Sequence, residues 1–401
     1  MNERPQPGRR DLDVFLVACE SSADVLGAGL MRALAATRSV SFRGVGGPRM
    51  AEAGMASLFP IEELVTFGVG AVVAKLPTIL RRLRQTVDAI VAARPDMLIL
   101  IDAPDFTHRV AARVRRRLPR LPIVKYVSPS VWVWRPGRAR AMRGSIDLVL
   151  ALLPFEPDVH RQLGGPPCVY VGHPLLEHLK TLRPSPEDEQ RRGAEPALVV
   201  ALPGSRPSEI RRLASVFGET LASVAAERGA IEVVVPTFPH LVPELSELTA
   251  RWPTQPRIVT SEAEKCSAFR QARAALAASG TVTLELALAG IPSVAAYRVS
   301  AFDGFILGSL AKLHPVIRVR SVILANIVLG EFAIPEFLQS RCVAKYIAPA
   351  LADILRDSPG RRRQIAAFKR LDTILGVNDT APSQRAAAAV LDLLAQRSVS
   401  R

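Results

Sequence analysis

The chain has 401 residues, 49% of them hydrophobic and 22% charged, with a formal net charge of +15. That length accommodates two or three domains, and the composition excludes a disordered chain. The positive excess implies anionic company, but its arginines alternate with core-type residues in both halves, which speaks against a basic nucleic-acid tail. Four cysteines are scattered without disulfide or metal-ligand spacing, as in a reducing compartment. No uninterrupted apolar run reaches the roughly 18 residues of a membrane span.

From the N-terminus, MNERPQPGRRD is polar and lacks the apolar core of a secretory signal. DVFLVA (13–18) reads as the first strand. CESSAD (19–24) follows, and a helix begins near Val25, with Ser21, Ser22 and Asp24 suited to capping it. A GxGxxG fingerprint is absent here, which weakens a dinucleotide reading, and GVGG (44–47) reads as a loop. Leu76, Ile79, Leu80, Leu83, Val87, Ile90 and Val91 recur at helical spacing. MLILID (97–102) is the next strand. Asp102 closes it, so its carboxylate is expected at the strand's carboxyl end, where a general base could stand. Asp105 reads as the cap of the helix carrying Val110, Val114 and Leu118. IVKYVS (123–128), DLVLALL (147–153) and CVYVG (168–172) complete the strands of the first half. KTLRPSPEDEQRRGAEP (180–196) is polar, contains proline and shows no apolar face, and reads as a linker.

The second half repeats the pattern with ALVVALP (197–203), IEVVVPT (231–237), ARAALAAS (272–279) and SVAAYRV (293–299). ALPGSRPSEI (201–210) sets Gly204, Ser205 and Arg206 between a buried strand and a helix. Backbone N–H groups, a helix start and a guanidinium there make an anion site, although the GxxxxGK[ST] spacing of a P-loop is missing. AASGTVTLELALAGIP (277–292) does the same with Ser279, Gly280 and Thr281, whose N–H and hydroxyl groups are donors at a helix start. Glu285 lies one turn further, spaced to take a ribose hydroxyl pair. Two phosphate-type turns in one half suggest a nucleoside diphosphate. A last helical pattern covers 381–396. Continuous apolar strands separated by helices mean parallel sheets covered on both faces. The expected architecture is α/β, with two doubly wound Rossmann-like domains flanking a cleft: 11–180, 195–375, and a C-terminal helix over 376–401 closing back on the body. The six histidines form no HxxxH or HExxH pair, so no metal site is read.

Nine stretches carry a resemblance to the lipid-A-disaccharide synthases, a GT-B-type glycosyltransferase family of Gram-negative bacteria. They are FRGVGGPRM (42–50), IDAPDF (101–106), YVSPSVWVWR (126–135), LALLPFE (150–156), YVGHPL (170–175), ALPGSR (201–206), ASGTVTLELAL (278–288), YRVS (297–300) and PEFLQ (335–339). They run nearly end to end, and YVSPSVWxW with LLPFE and VGHPL is the most specific set. The resemblance implies transfer of 2,3-diacylglucosamine from its UDP derivative onto 2,3-diacylglucosamine 1-phosphate (lipid X), giving a β-1,6 disaccharide and UDP. It implies no metal or organic cofactor and no nucleic acid, a cytoplasmic enzyme peripheral on the inner membrane's anionic surface, and leaves a homodimer open. Asp102 would be the base, Arg206 would meet the leaving diphosphate, and Asn326 would orient the donor.

On the acceptor and membrane side the expected residues are Glu20, Ser22, Asp24, Ser128, Trp132, Trp134, Arg135 and Arg138. Indoles suit a water–lipid boundary and guanidiniums suit phosphates. Trp132 and Trp134 are expected on one side of an extended segment. The apolar stretches 58–80 and 302–330 could lie on a bilayer or form core. Two departures stand out. The family's first loop reads Gly-Glu-x-Ser-Gly-Asp, whereas Cys19 and Ala23 occupy the glycine positions here, where Cβ atoms would restrict a turn needing positive φ. The family's Leu-Pro-Asn appears as Leu324-Ala325-Asn326. Another GT-B-type UDP-sugar enzyme, such as an epimerase, and a nucleotide- or lipid-binding paralogue without catalysis are the alternatives.

Overall fold

A computed structural model of the chain describes residues 11–64, 69–298 and 321–399. Two compact units appear. One runs to Pro174 and takes the chain back from Asn378; the other spans Leu175–Val377.

The first unit is a parallel sheet of β1 (Leu12–Ala18), β2 (Val40–Val45), β3 (Met97–Ile101), β4 (Ile123–Tyr126), β5 (Leu148–Ala151) and β6 (Cys168–Tyr170). Their order is β2-β1-β3-β4-β5-β6, every pair parallel. The connecting helices are α1 (Ser21–Ala35), α2 (Pro48–Glu52), α3 (Val69–Ala93), α4 (Pro104–Arg117), α5 (Gly137–Met142) and α6 (Glu156–Gln162). The strands alternate between two buried faces. Leu16, Ile99, Ile101, Val124 and Leu150 pack against α1, while Val17, Leu98, Leu100, Ile123 and Val149 pack with Val110 and Val114 of α4.

The second unit repeats the plan. It begins with α7 (Leu179–Leu182) and α8 (Pro186–Gly193). Its strands are β7 (Ala197–Leu202), β8 (Ile231–Pro236), β9 (Arg257–Val259), β10 (Ala274–Ala278), β11 (Ser293–Tyr297) and β12 (Glu336–Leu338). They lie in the order β12-β11-β10-β7-β8-β9, again all parallel. The helices between and after them are α9 (Pro207–Arg228), α10 (Val242–Thr249), α11 (Glu262–Gln271), α12 (Val282–Leu288), α13 (Leu324–Leu329), α14 (Ala344–Leu355) and α15 (Pro359–Leu375). The final helix, α16 (Pro382–Val399), belongs to the first unit. It packs on α1, sends Ala386, Ala387 and Val390 into that core, and stacks Arg385 4.9 Å over the Tyr170 ring.

Nine strands lie where the apolar runs place them. The three without a sequence signal, β2, β9 and β12, are all edge strands. Their side chains are partly solvated, so their apolar runs are broken. The stretch 180–196 is no linker. Ser185 and Asp188 form a capping box at the start of α8, and Arg192 from the same helix is buried in the second unit. Its guanidinium donates to the carbonyls of Arg270 (2.6 Å), Ala289 (3.0 Å), Phe269 (3.1 Å) and Gly290 (3.5 Å). A polar surface pattern hid one anchoring side chain. Of the other expectations, residues 1–10, 65–68 and 299–320 lie outside the described residues, which takes in most of the 302–330 stretch and the end of YRVS. Among the described residues, no helix is long and apolar enough to cross a membrane.

Removing Arg192 leaves several buried carbonyls without a donor. Arg192→Ala should therefore destabilise the second unit by roughly 3 kcal/mol, read as a lowered urea midpoint. An unchanged midpoint would contradict the anchoring role.

Candidate active site

In each sheet the strand order reverses once, between β1 and β3 in the first unit and between β7 and β10 in the second. Connections leave in opposite directions there, and the carboxyl ends open a crevice suited to ligands. The loops after these four strands, together with the first turns of the helices they lead into, carry most of the expected site residues.

In the second unit the turns after β7 and β10 line one cavity of about 560 Å³, together with Glu285. Gly204, Ser205, Arg206, Ser279, Gly280 and Thr281 all face it. Gly204 has φ +134°, and a Cβ there would stand 2.5 Å from Glu209 Cβ, so the position requires glycine. The Arg206 guanidinium is exposed and only loosely held, 3.7 Å from Glu209. Two details differ from the sequence expectation. The Ser205 N–H already donates to Glu209 Oε2 at 3.0 Å, and the Ser279 hydroxyl donates to the Val322 carbonyl at 2.8 Å. Ser279 therefore offers a ligand its lone pairs more readily than its proton.

Glu285 is nearly buried, and Lys265 Nζ donates to its Oε1 at 2.7 Å. Burial pulls the Lys265 ammonium down, but Glu285 and then Glu262 outweigh that and hold it above its ordinary value. Lys265 and the exposed Phe238 ring, stacked on His240, complete the lining. Neither was legible: Lys265 lies 20 residues from its partner on another helix, and Phe238 sits in an unpatterned loop.

Asn326 does not join this cavity. It is buried, its Nδ2 donates to the Ile334 carbonyl and its Oδ1 accepts from Ile334 N–H, both at 2.9 Å. Its amide closes the loop before β12, which corrects the expectation that it orients the donor.

In the first unit Asp102 is half-buried at the end of β3, with φ +48°, and Ala103 follows at +41°. Glu20 and Ser22 are exposed at the start of α1. Cys19 and Ala23, which replace the family's glycines, are not among the positive-φ residues, so their Cβ atoms cause no backbone strain. Asp24 is turned away and buried. Its carboxylate accepts from the N–H groups of Gly47 (2.8 Å), Arg49 (2.9 Å) and Met50 (3.0 Å), capping α2 rather than α1. Asp105 caps nothing; it pairs with Arg138 and lies 3.8 Å from Arg135.

The tryptophan segment is a turn, not an extended strand. Val133 and Trp134 N–H groups both return to the Ser130 carbonyl, so the two indoles part. Trp132 packs edge-on to Phe155 at 5.3 Å and its Nε1–H donates to Glu156 Oε1 at 3.3 Å. Burial raises the Glu156 carboxyl to about 7, against N–H bonds from Leu153, Trp132 and Leu152. Ser128 is buried, with Oγ 2.9 Å from His160 Nε2. Burial pushes that imidazole down to about 4. Trp132 and Ser128 are thus internal supports. Trp134, Val133 and Arg135 form the exposed tip, with the Arg135 guanidinium 5.4 Å from the Trp134 ring centre. Among the described residues, no three His, Cys, Asp or Glu side chains gather in a way that could hold a metal ion.

The sequence profile described as lipid-A-disaccharide synthetase matches residues 14–390. Relatives named lipid-A-disaccharide synthase are similar over nearly the whole chain. That of Nitrobacter hamburgensis is 56% identical over 383 residues, covering 95% of both chains. One from Rhodopseudomonas palustris is 53% identical over 396 residues, covering 98% of this chain and 99% of its own. Among solved structures, a putative UDP-N-acetylglucosamine 2-epimerase from Listeria monocytogenes is alike at TM-score 0.62 and 12% identity, over 98% of both chains. MurG of Acinetobacter baumannii is alike at TM-score 0.52 and 14% identity, over 96% of this chain and 100% of that one. At such identities the likeness concerns the fold alone, which is of the GT-B type.

Because Asp24 serves three backbone donors, Asp24→Ala should cost roughly 3 kcal/mol of stability while leaving turnover per folded molecule near the native rate. Denaturant unfolding alongside an activity assay separates the two. A stable variant with impaired turnover would return Asp24 to the acceptor site.

Proposed function

The chain belongs to the lipid-A-disaccharide synthetase family, and from that premise we propose that it transfers 2,3-diacylglucosamine from its UDP derivative to the 6-hydroxyl of 2,3-diacylglucosamine 1-phosphate. The products are the β-1,6-linked disaccharide 1-phosphate and UDP. The observation that carries this reading is the one cavity of about 560 Å³ in the second unit where two strand-end turns, a loosely held arginine and a ribose-type carboxylate converge.

In that cavity the diphosphate lies against the turns at 204–206 and 279–281, Glu285 takes the ribose hydroxyls with Lys265 fixing its carboxylate, and Phe238 offers a face to the base. Arg206 swings from Glu209 to the diphosphate. Asp102 removes the acceptor's proton as its oxygen attacks the anomeric carbon from the side opposite UDP, so a single displacement inverts the configuration. Guanidinium and backbone N–H groups take the leaving charge, and no metal is required. Glu20 and Ser22 stand at the neighbouring strand end, within the acceptor's half.

The exposed Trp134, Val133 and Arg135, and the exposed Leu76, Leu80, Arg81 and Arg84 on α3, support a peripheral seat on an anionic bilayer. The acceptor carries both acyl chains and a phosphate, so such a seat also delivers it.

Purified protein given UDP-2,3-diacylglucosamine and lipid X should release UDP and form the disaccharide, with or without excess EDTA. Arg206→Ala should lower kcat by about two orders of magnitude; wild-type turnover would overturn its role. Trp134→Ala with Arg135→Ala should weaken binding to anionic vesicles, by about 1 kcal/mol for the lost arginine at low salt, with UDP affinity kept. Unchanged vesicle binding would remove the membrane assignment.

A further inference from the structure

Lys125 is fully buried in β4. It stands on the apolar face shared by Val17, Leu100, Ile123 and Val149, in register with Leu100. Its ammonium donates to the Asp102 carbonyl and, at 3.1 Å, to Thr107 Oγ1. The Thr107 hydroxyl itself reaches the Asp102 carbonyl at 2.8 Å, and the Asp102 N–H donates to the Tyr126 carbonyl at 3.0 Å. These contacts surround two successive residues with positive φ, Asp102 and Ala103. Such a pair persists only when its surroundings over-determine it. A buried ammonium is a costly way to do so, because an apolar side chain of similar length would fit the same face at less expense. Thr107 would still satisfy the carbonyl.

We infer that Lys125 is a positioning residue for the transfer: its sealed ammonium holds the left-handed Asp102–Ala103 turn and thereby aims the Asp102 carboxylate. The inference rests on Asp102 as the base. The charge also faces Glu20 and Cys19 after β1, so one cation is shared by the two loops at the reversal point. Burial lowers the Lys125 ammonium to about 8, against the pull of Asp102, Cys19 and Glu20. The other groups facing it are Cys19, whose thiol burial drives up to about 12, and His108 of α4, held down to about 3 by burial and then by Lys125 and Arg138. Neither changes charge near pH 8.

The sign follows. Below about pH 8 the ammonium is intact and the full cost of burying it is present. From about 8 to the ordinary value of 10.5 the unfolded chain binds more protons, so stability gains with pH from this group. Turnover should move the other way, falling as pH passes about 8.

The test uses the full chain with UDP-2,3-diacylglucosamine and lipid X. Lys125→Met should lower kcat by about tenfold or more, a typical effect of lost orientation. Its donor KM should stay within about twofold and its melting temperature should equal or exceed the native one. Lys125→Arg should recover part of kcat and retain it above pH 8. In an Asp102→Asn background, Lys125→Met should slow the reaction no further, as expected for residues acting in one unit. Native turnover in Lys125→Met, or a loss that follows the unfolded fraction with no recovery in Lys125→Arg, overturns the inference. If Asp102→Asn keeps native turnover, the base assignment falls and the inference with it. If Asp102→Asn is inactive while Lys125→Met is native, only the inference falls.

Discussion

A parallel sheet wound in both directions from its middle cannot close the space at the carboxyl ends of its two central strands. The connections after those strands run to opposite faces, and no helix covers the gap between them. Each unit meets this constraint once, and its chemistry-bearing loops stand there. In the second unit the consequence is a cavity with two donor-rich turns side by side. In the first it brings Glu20 and Asp102, 82 positions apart in the numbering, over one buried cation. The spacing of motifs along the chain matters less than their distance from the reversal.

Many buried polar side chains hold backbone rather than ligand. Asp24 gathers three N–H groups, Arg192 gathers carbonyls from two separate segments, and Asn326 closes on both the N–H and the carbonyl of one residue. Gln364 of α15 does the same for Ser293 at the start of β11, accepting from its N–H at 2.9 Å and donating to its carbonyl at 3.1 Å. These loops leave groups that no strand or helix can satisfy, and a buried unpaired group is costly. Several polar residues that stand out in the sequence therefore serve the positions of the loops, and only indirectly what the loops contact.

The fold and the second unit's cavity at the β7 and β10 turns were largely legible from the chain. Buried parallel strands are continuous apolar runs, and the turns at 204–206 and 279–281 follow such runs directly. What escaped was of two kinds. The edge strands β2, β9 and β12 are half solvated and lack the pattern. Pairings across the sheet, such as Lys265 with Glu285 or Trp132 with Glu156, join residues about 20 or more positions apart, and no local spacing encodes them. The indoles show how far local reading reaches. Their composition marked an unusual segment, but only the turn at Ser130 decides that one faces inward and the other outward. Lys125 did leave a signal in the run IVKY, where a charge interrupts an otherwise buried strand, and that signal is weak without the sheet around it.

The first unit is not contiguous: its last helix, α16, arrives after the whole of the second unit. On the ribosome, the first sheet would emerge with the surface of α1 that later receives Ala386, Ala387 and Val390 still bare, while about 200 further residues are synthesised. The interval leaves apolar surface open to chaperones, and it makes quality control sensitive to the end of the message. A frameshift or stop codon beyond Val377 would spare every residue lining the second unit's cavity at the β7 and β10 turns yet leave the other unit unfinished. Loss of the final helix would then be felt chiefly as proteolysis of the N-terminal sheet, far in sequence from the lesion.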